Sequence, residues 1–261
     1  MRIGFIGYGA IGRDVIERIG REPSGDWVVT GVLTRSDRMI PGIPSTSRLS
    51  EFLEYEMDLV IEAAGQDAVR AYAVPILDAG CSLVITSVGA LCDDGLARDI
   101  EAAAAASGVR VFFPSCALAG LDRIAAAREG RLDRVSLTTR KPPAAWYGTG
   151  VEHRYDLDRL TAPVRVFQGS AREAAQRYPQ SVNVAAAVGL AGVGLDQTSV
   201  EIWVDPACQH NVHQVEVEGE FGRFSFEVNN FPSENPKTGV IVAMSIMKLL
   251  KNLTAPFVMG I

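Results

Sequence analysis

The chain has 261 residues, 48% of them apolar and 21% charged, enough for one large α/β unit or two modest domains with a full core. A net charge of −6 argues against a nucleic-acid partner, which asks for a surplus of Lys and Arg, yet leaves room for a small anion held by local cations. No apolar stretch is long enough for a membrane span, and Cys81, Cys92, Cys116 and Cys208 form no CxxC pair, which suits reduced thiols in the cytoplasm.

The start, MRIGFIGYGAIGRDVIERIG, carries glycines throughout and lacks a basic leader or a small-residue cleavage site, so it does not read as a signal peptide. RIGFIG is a short apolar run that breaks at glycine, and Ile11, Val15, Ile16 and Ile19 then follow helical spacing. WVVTGVLTR, DLVIEAA, SLVITSV and RVFFPS are further expected strands, separated by the helical segments DAVRAYAVPILDAG and DDGLARDIEAAAAASG. Strands apolar throughout, alternating with helices, predict a parallel sheet covered on both faces. The expected fold class is α/β, with a Rossmann-type doubly wound domain over residues 1–116.

Beyond Ser115 the pattern changes. RVSLTTRKP, PVRVFQGS, TSVEIWVDP, HQVEVEGEF and RFSFEVNN alternate and lie close together, which predicts a mixed or antiparallel sheet in a second α/β domain over 117–234. KPPAAWYGTG is a Pro/Gly-rich loop placed near a cleft. The closing segment, 235–261, contains the apolar helix KTGVIVAMSIMKLLKNL, whose stripe must be buried, and packing back on the first domain would bury it.

GYGAIG sets Gly7, Gly9 and Gly12 in GxGxxG spacing between a strand and a helix, with Ala10 and Ile11 opening that helix. Gly7 permits the tight turn, Gly9 lets a pyrophosphate approach the backbone, and Gly12 lets helix and strand pack closely. Where a ribose-binding carboxylate is expected at the end of the second strand, the sequence reads LTRS. Thr34 and Arg35 suit a 2′-phosphate, which points to NADP, while Arg35 as a plain solvated cation is the competing reading and Asp37 lies within reach.

His210 and His213 are two of only three histidines. Residues three apart on an extended chain point to opposite faces, and no Cys or carboxylate completes a ligand set, so no metal site is expected. His213 shares a face with Val215 and Val217 and points inward; His210 sits in the preceding turn and is expected to be exposed. An inward histidine at a strand end is either a packed structural residue or a general acid–base of the kind a cleft between two such domains needs.

Two stretches look like anion sites. GSARE makes Ser170 an N-cap with Glu173 three residues on, and ENPKTG places Lys237 and Thr238 at the front of the terminal helix. Helix capping is the plain alternative for each. Asn183, in SVNVAA, is placed as a helix N-cap whose amide could instead meet a carboxamide.

Taken together, GYGAIG, PSCALAGLD, FQGSAREAAQRYPQSVNVAAAVGLAGVGLD, HNVHQVEVEGEFGRFSFEV and ENPKTG resemble the L-aspartate dehydrogenase family over nearly the whole chain. The resemblance implies a Rossmann domain with a substrate domain, NAD or NADP as cofactor, and assembly as a homodimer. It implies oxidation of L-aspartate to iminosuccinate, which hydrolyses to oxaloacetate and ammonia or feeds pyridine-nucleotide synthesis. It assigns the active-site histidine to His213 and dinucleotide contacts to Ala117 and Asn183. Substrate carboxylates are then expected near Lys237, Thr238 and Ser170. The family has glycine where Cys116 stands, so backbone freedom beside Ala117 is narrowed and a thiol is introduced there. Homoserine dehydrogenase-like or dihydrodipicolinate reductase-like chemistry, or a nucleotide sensor without catalysis, are the competing functions.

Overall fold

Short, mostly apolar runs build the first sheet. In the computed structural model, which describes residues 1–22, 26–178, 182–231 and 239–260, the chain divides into two units. One is Met1–Cys116 together with the stretch from Val242, and the other is Ala117–Ile241. The first unit runs β1 (Arg2–Ile6), α1 (Ala10–Gly20), β2 (Val28–Leu33), β3 (Ser45–Thr46), α2 (Leu49–Leu53), β4 (Leu59–Glu62), α3 (Gln66–Asp78), β5 (Ser82–Ile85), α4 (Asp94–Ser107) and β6 (Val111–Phe112). Every pairing is parallel, in the order β3-β2-β1-β4-β5-β6. Leu59, Val60 and Ile61 are each at most 1% exposed, so both faces of the sheet are covered. The order reverses between β1 and β4, and such sheets bind ligands beyond the strand C-termini at that switch point.

The last residue of β4 is a buried carboxylate, Glu62, 1% exposed. Its Oε1 accepts from the Ala64 and Gly65 N–H groups at 2.8 Å and from the Ser87 hydroxyl at 2.9 Å. Its Oε2 accepts from the Ser87 and Thr86 N–H groups at 3.0 and 3.2 Å. These bonds replace the water a carboxylate loses on burial, and they fix the two loops that leave β4 and β5 on the ligand edge of the sheet.

The second unit contains α5 (Leu121–Ala127), β7 (Leu132–Lys141), β8 (Val164–Ser170), α6 (Ala171–Arg177), α7 (Val182–Ala191), β9 (Ser199–Val204), β10 (Asn211–Gly219) and β11 (Gly222–Asn230). Its sheet order is β11-β10-β7-β9-β8, with only β7 and β9 parallel. Period-two alternation buries one face: Val135, Leu137 and Thr139 on β7, Val200, Ile202 and Val204 on β9, His213, Val215 and Val217 on β10. Helix α7 packs against α5, α6 and β7. On the other face the Arg140 and Arg165 guanidiniums lie 5.1 and 5.7 Å from the Trp203 ring.

The closing helix α8 (Ile241–Thr254) buries Val242, Ala243, Ile246, Met247 and Leu250. Its Ser245 hydroxyl oxygen accepts the Cys116 N–H at 3.1 Å, and Lys251 pairs with Glu22 at 3.2 Å. Cys116 has φ 49, the only left-handed non-glycine residue among those described. It therefore holds the backbone conformation that a glycine adopts without cost, and a side chain does not. Burial pushes its thiol up to about 12, so the sulfur stays protonated at neutral pH.

Two stability measurements follow from this geometry. Glu62→Ala removes the acceptor of five donors and is expected to lower unfolding free energy by about 2–4 kcal/mol in a denaturant titration. Cys116→Gly is expected to stay within about 1 kcal/mol of the parent, because relief of the left-handed backbone offsets the added freedom of the unfolded chain. Cys116→Val, β-branched in the same region, is expected to lose about 2 kcal/mol; equal stability of the two variants would contradict the strain argument.

Candidate active site

The glycine turn shows three different reasons for its glycines. At Gly7, φ is 95, and a Cβ would lie 2.8 Å from the Ala63 carbonyl oxygen. At Gly12 a Cβ would meet the Gly7 carbonyl oxygen at 2.5 Å, so strand and helix touch there. At Gly9 a Cβ would meet nothing within 4 Å. The protein itself does not need that glycine; it leaves open space over a backbone that a ligand can approach. Gly9 is the N-cap of α1, no side chain caps the helix, and no acidic residue stands in its first turn. The N–H groups of Ala10 and Ile11 thus open a positive helix end without a protein anion. These residues fit a dinucleotide pyrophosphate.

At the end of β2, the Thr34 hydroxyl donates to the Ser36 carbonyl at 2.9 Å, and Arg35 is exposed. Asp37 accepts the Ser47 hydroxyl at 2.5 Å. Arg38, which the sequence reading passed over, lies 5.1 Å over the ring of Tyr8 in the glycine turn. Cations thus border the turn where an adenosine ribose would sit in a fold of this kind.

In the second unit the inner sheet face changes character along its length. Val135, Leu137, Val215 and Val217 make one end hydrocarbon. Thr139, Lys141 and His213 follow at the other end, because Lys141 is two residues beyond Thr139 and Thr139 pairs with His213 across β7 and β10. His213 is 5% exposed, and its Nδ1 lies 3.0 Å from the Thr139 hydroxyl oxygen. Burial, and then the nearby charge of Lys141, lowers the imidazole to about 3. Desolvation lowers the Lys141 ammonium to about 8. At neutral pH the ring is neutral and the lysine charged. Lys141 Nζ also lies 5.7 Å from the Trp146 ring centroid. Trp146 is 2% exposed, and its indole N–H has no acceptor among the described residues.

Several expectations are refined here. His210 is half-buried rather than exposed, because Phe231 lies against it with ring centroids 4.7 Å apart. Asn183 is not an N-cap: α7 begins at Val182, so Asn183 lies inside the first turn on an exposed position. Ser170 does cap α6, accepting the Glu173 N–H at 3.2 Å while Glu173 accepts the Ser170 N–H at 2.7 Å. Ala117 offers its carbonyl to the Asn230 amide at 2.8 Å. Lys237 and Thr238 lie outside the described residues. Among the described residues no cluster of His, Cys, Asp and Glu could hold a metal ion, and no helix is long and apolar enough to cross a membrane. Thr139, Lys141 and Trp146 were missed; the alternation in RVSLTTRKP, extended two residues past Thr139, was the signal that places Lys141 beside His213.

Known proteins agree with this division of labour. Residues 7–114 match the family model described as homoserine dehydrogenase, NAD binding domain, and residues 122–253 match aspartate dehydrogenase, C-terminal. The L-aspartate dehydrogenase of Cupriavidus necator is 40% identical, covering 97% of each chain. That of Methanosarcina mazei is 37% identical over 100% of this chain and 99% of its own. The crystal structure of aspartate dehydrogenase from Thermotoga maritima superposes with a TM-score of 0.80 at 27% identity, covering 100% of this chain and 99% of the other. With a nicotinamide-dinucleotide fold in the first unit and a buried histidine face in a second unit matched along its length, this chain belongs to the aspartate dehydrogenase family.

Proposed function

We propose that the protein is an NAD(P)-dependent L-aspartate dehydrogenase, and that His213 is its acid–base group. The observation that carries the reading is the buried His213–Thr139 pair beside Lys141, within the segment matched to the C-terminal half of that family. A bound oxidised dinucleotide would supply the hydride acceptor at Cα, so that L-aspartate would become iminosuccinate with release of a proton, and water would convert the imine to oxaloacetate and ammonia.

The chain's own residues bind, orient and move protons. Gly7, Gly9, Ala10, Ile11 and Gly12 supply the pyrophosphate cradle, and Thr34 and Arg35 border the adenosine ribose. Ala117 and Asn183 contact the dinucleotide in this reading. Arg35, with Arg38 over Tyr8, supports use of NADP alongside NAD. The useful tautomer of His213 donates Nδ1–H to the Thr139 oxygen and keeps the Nε2 lone pair for water attacking the imine. Ser170 serves first as a helix cap, and the site for substrate carboxylates on Lys237 and Thr238 stands as proposed from the sequence. The same family reading carries a cytoplasmic homodimer and a place in pyridine-nucleotide synthesis.

A steady-state assay with L-aspartate and each of NAD and NADP, repeated with oxaloacetate, ammonium and the reduced cofactors, tests the activity; turnover of homoserine in place of aspartate would overturn it. His213→Ala is expected to cut kcat by about 10²–10⁴-fold with dinucleotide affinity nearly unchanged, and parental turnover in that variant would remove His213 from the chemistry. Gly9→Ala should keep the parental melting temperature yet weaken dinucleotide binding by about tenfold or more, since the added methyl occupies only ligand space. Gly12→Ala is expected to lose both, and a stability loss in Gly9→Ala equal to that in Gly12→Ala would contradict the cradle.

A further inference from the structure

The second sheet has two outer edges, and they differ. At β8 the ladder shifts between Arg165 and Phe167, a bulge that spoils that edge for further pairing. At the other edge, the nine residues of β11, GRFSFEVNN, pair with β10 without a register shift and include neither proline nor lysine. The turn between β10 and β11 joins Gly219 to Gly222, opposed residues, through Glu220 and Phe221. A two-residue hairpin closes on a hydrogen-bonded pair, so the alternation turns the backbones of Arg223, Ser225 and Glu227 away from β10. All three residues are exposed, and among the described residues no other element bonds to their backbones. A long edge of this kind is a template for another strand.

We propose that β11 pairs antiparallel with β11 of a second copy of this chain, about a two-fold axis at Ser225. The strand is complementary to itself in that register. With Ser225 opposite its own copy, Arg223 stands opposite Glu227 twice, and Phe224 stands opposite Phe226 twice. Glu227 has no cation partner among the described residues. Arg223 lies 3.4 and 3.5 Å from Glu216 and Glu218 on β10, which hold it on the face where Glu227 of the second copy would arrive. Moving the axis to Phe224 or Phe226 separates the two charges, and moving it to Arg223 or Glu227 sets like charges against each other. The inference rests on the homodimer of the proposed function and names its surface. It also touches the site, because Val228 of β11 lies directly opposite His213. Pairing along β11 steadies the strand beside the acid–base group.

Sedimentation of the full chain reads the assembly, and oxidation of introduced thiols reads its register. The parent is expected to sediment as a dimer. Ser225→Cys sets two thiols on opposed residues with Cα atoms about 5.5 Å apart, within disulfide reach, so diamide should crosslink the two chains. Asn229→Cys sets its thiols about 27 Å apart in the same register and should stay uncrosslinked, as should the parent with its own four cysteines. Glu227→Gln should raise the dimer Kd about three- to tenfold, and Glu227→Arg about tenfold to a hundredfold, with the circular dichroism of the parent kept. A parental Kd in Glu227→Arg would overturn the register. A dimeric Ser225→Cys that diamide does not crosslink would overturn the β11 interface and leave the homodimer standing. A monomeric parent sinks both, and aspartate turnover by that monomer would leave the activity untouched.

Discussion

Removal of water from one end of a sheet face governs His213 and Lys141 together. Each is a base whose protonated form is charged, so burial opposes protonation of both, and the ammonium of one further opposes protonation of the other. The outcome is asymmetric because the starting affinities differ. The imidazole falls to about 3 and is neutral throughout the physiological range, whereas the lysine falls only to about 8 and keeps its charge near neutrality. The face therefore presents one neutral lone pair and one poorly hydrated cation.

The first unit treats backbone donors in two opposite ways on the two sides of its switch point. At the ends of β4 and β5, Glu62 satisfies the amides of Ala64, Gly65, Thr86 and Ser87, which makes those loops rigid without help from a ligand. At the start of α1, the equivalent donors have neither a capping side chain nor an acidic residue in the first turn. Had a carboxylate been placed there as well, the helix would be more stable alone and useless to a pyrophosphate. Satisfied donors build the scaffold, and the uncapped ones leave a helix end that fits an anion.

Cys116 shows how a local penalty is carried by its surroundings. A side chain at φ 49 is strained, yet the Cys116 amide is tied to Ser245 on α8 and the residue is half-buried. The thiol that stands where the family has glycine is held protonated at neutral pH by desolvation.

Local patterns in the chain were enough to place the glycine turn, the parallel and mixed sheets, the Ser170 capping box and the inward direction of His213. Each depends on periodicity or on residues within one turn of each other. The start of α7 was misplaced by that reasoning, which put Asn183 at the cap, because helix ends respond to packing as well as to capping residues. What His213 meets could not be read in this way. Its partner Thr139 is 74 residues away, the donors to Glu62 just past β5 are 24 and 25 residues away, and Arg38 reaches Tyr8 from a different loop. Strand register and burial belong to the assembled sheets. Only there does a lysine two residues past a buried threonine lose its water, and only there does an ordinary histidine become a neutral base beside a cation.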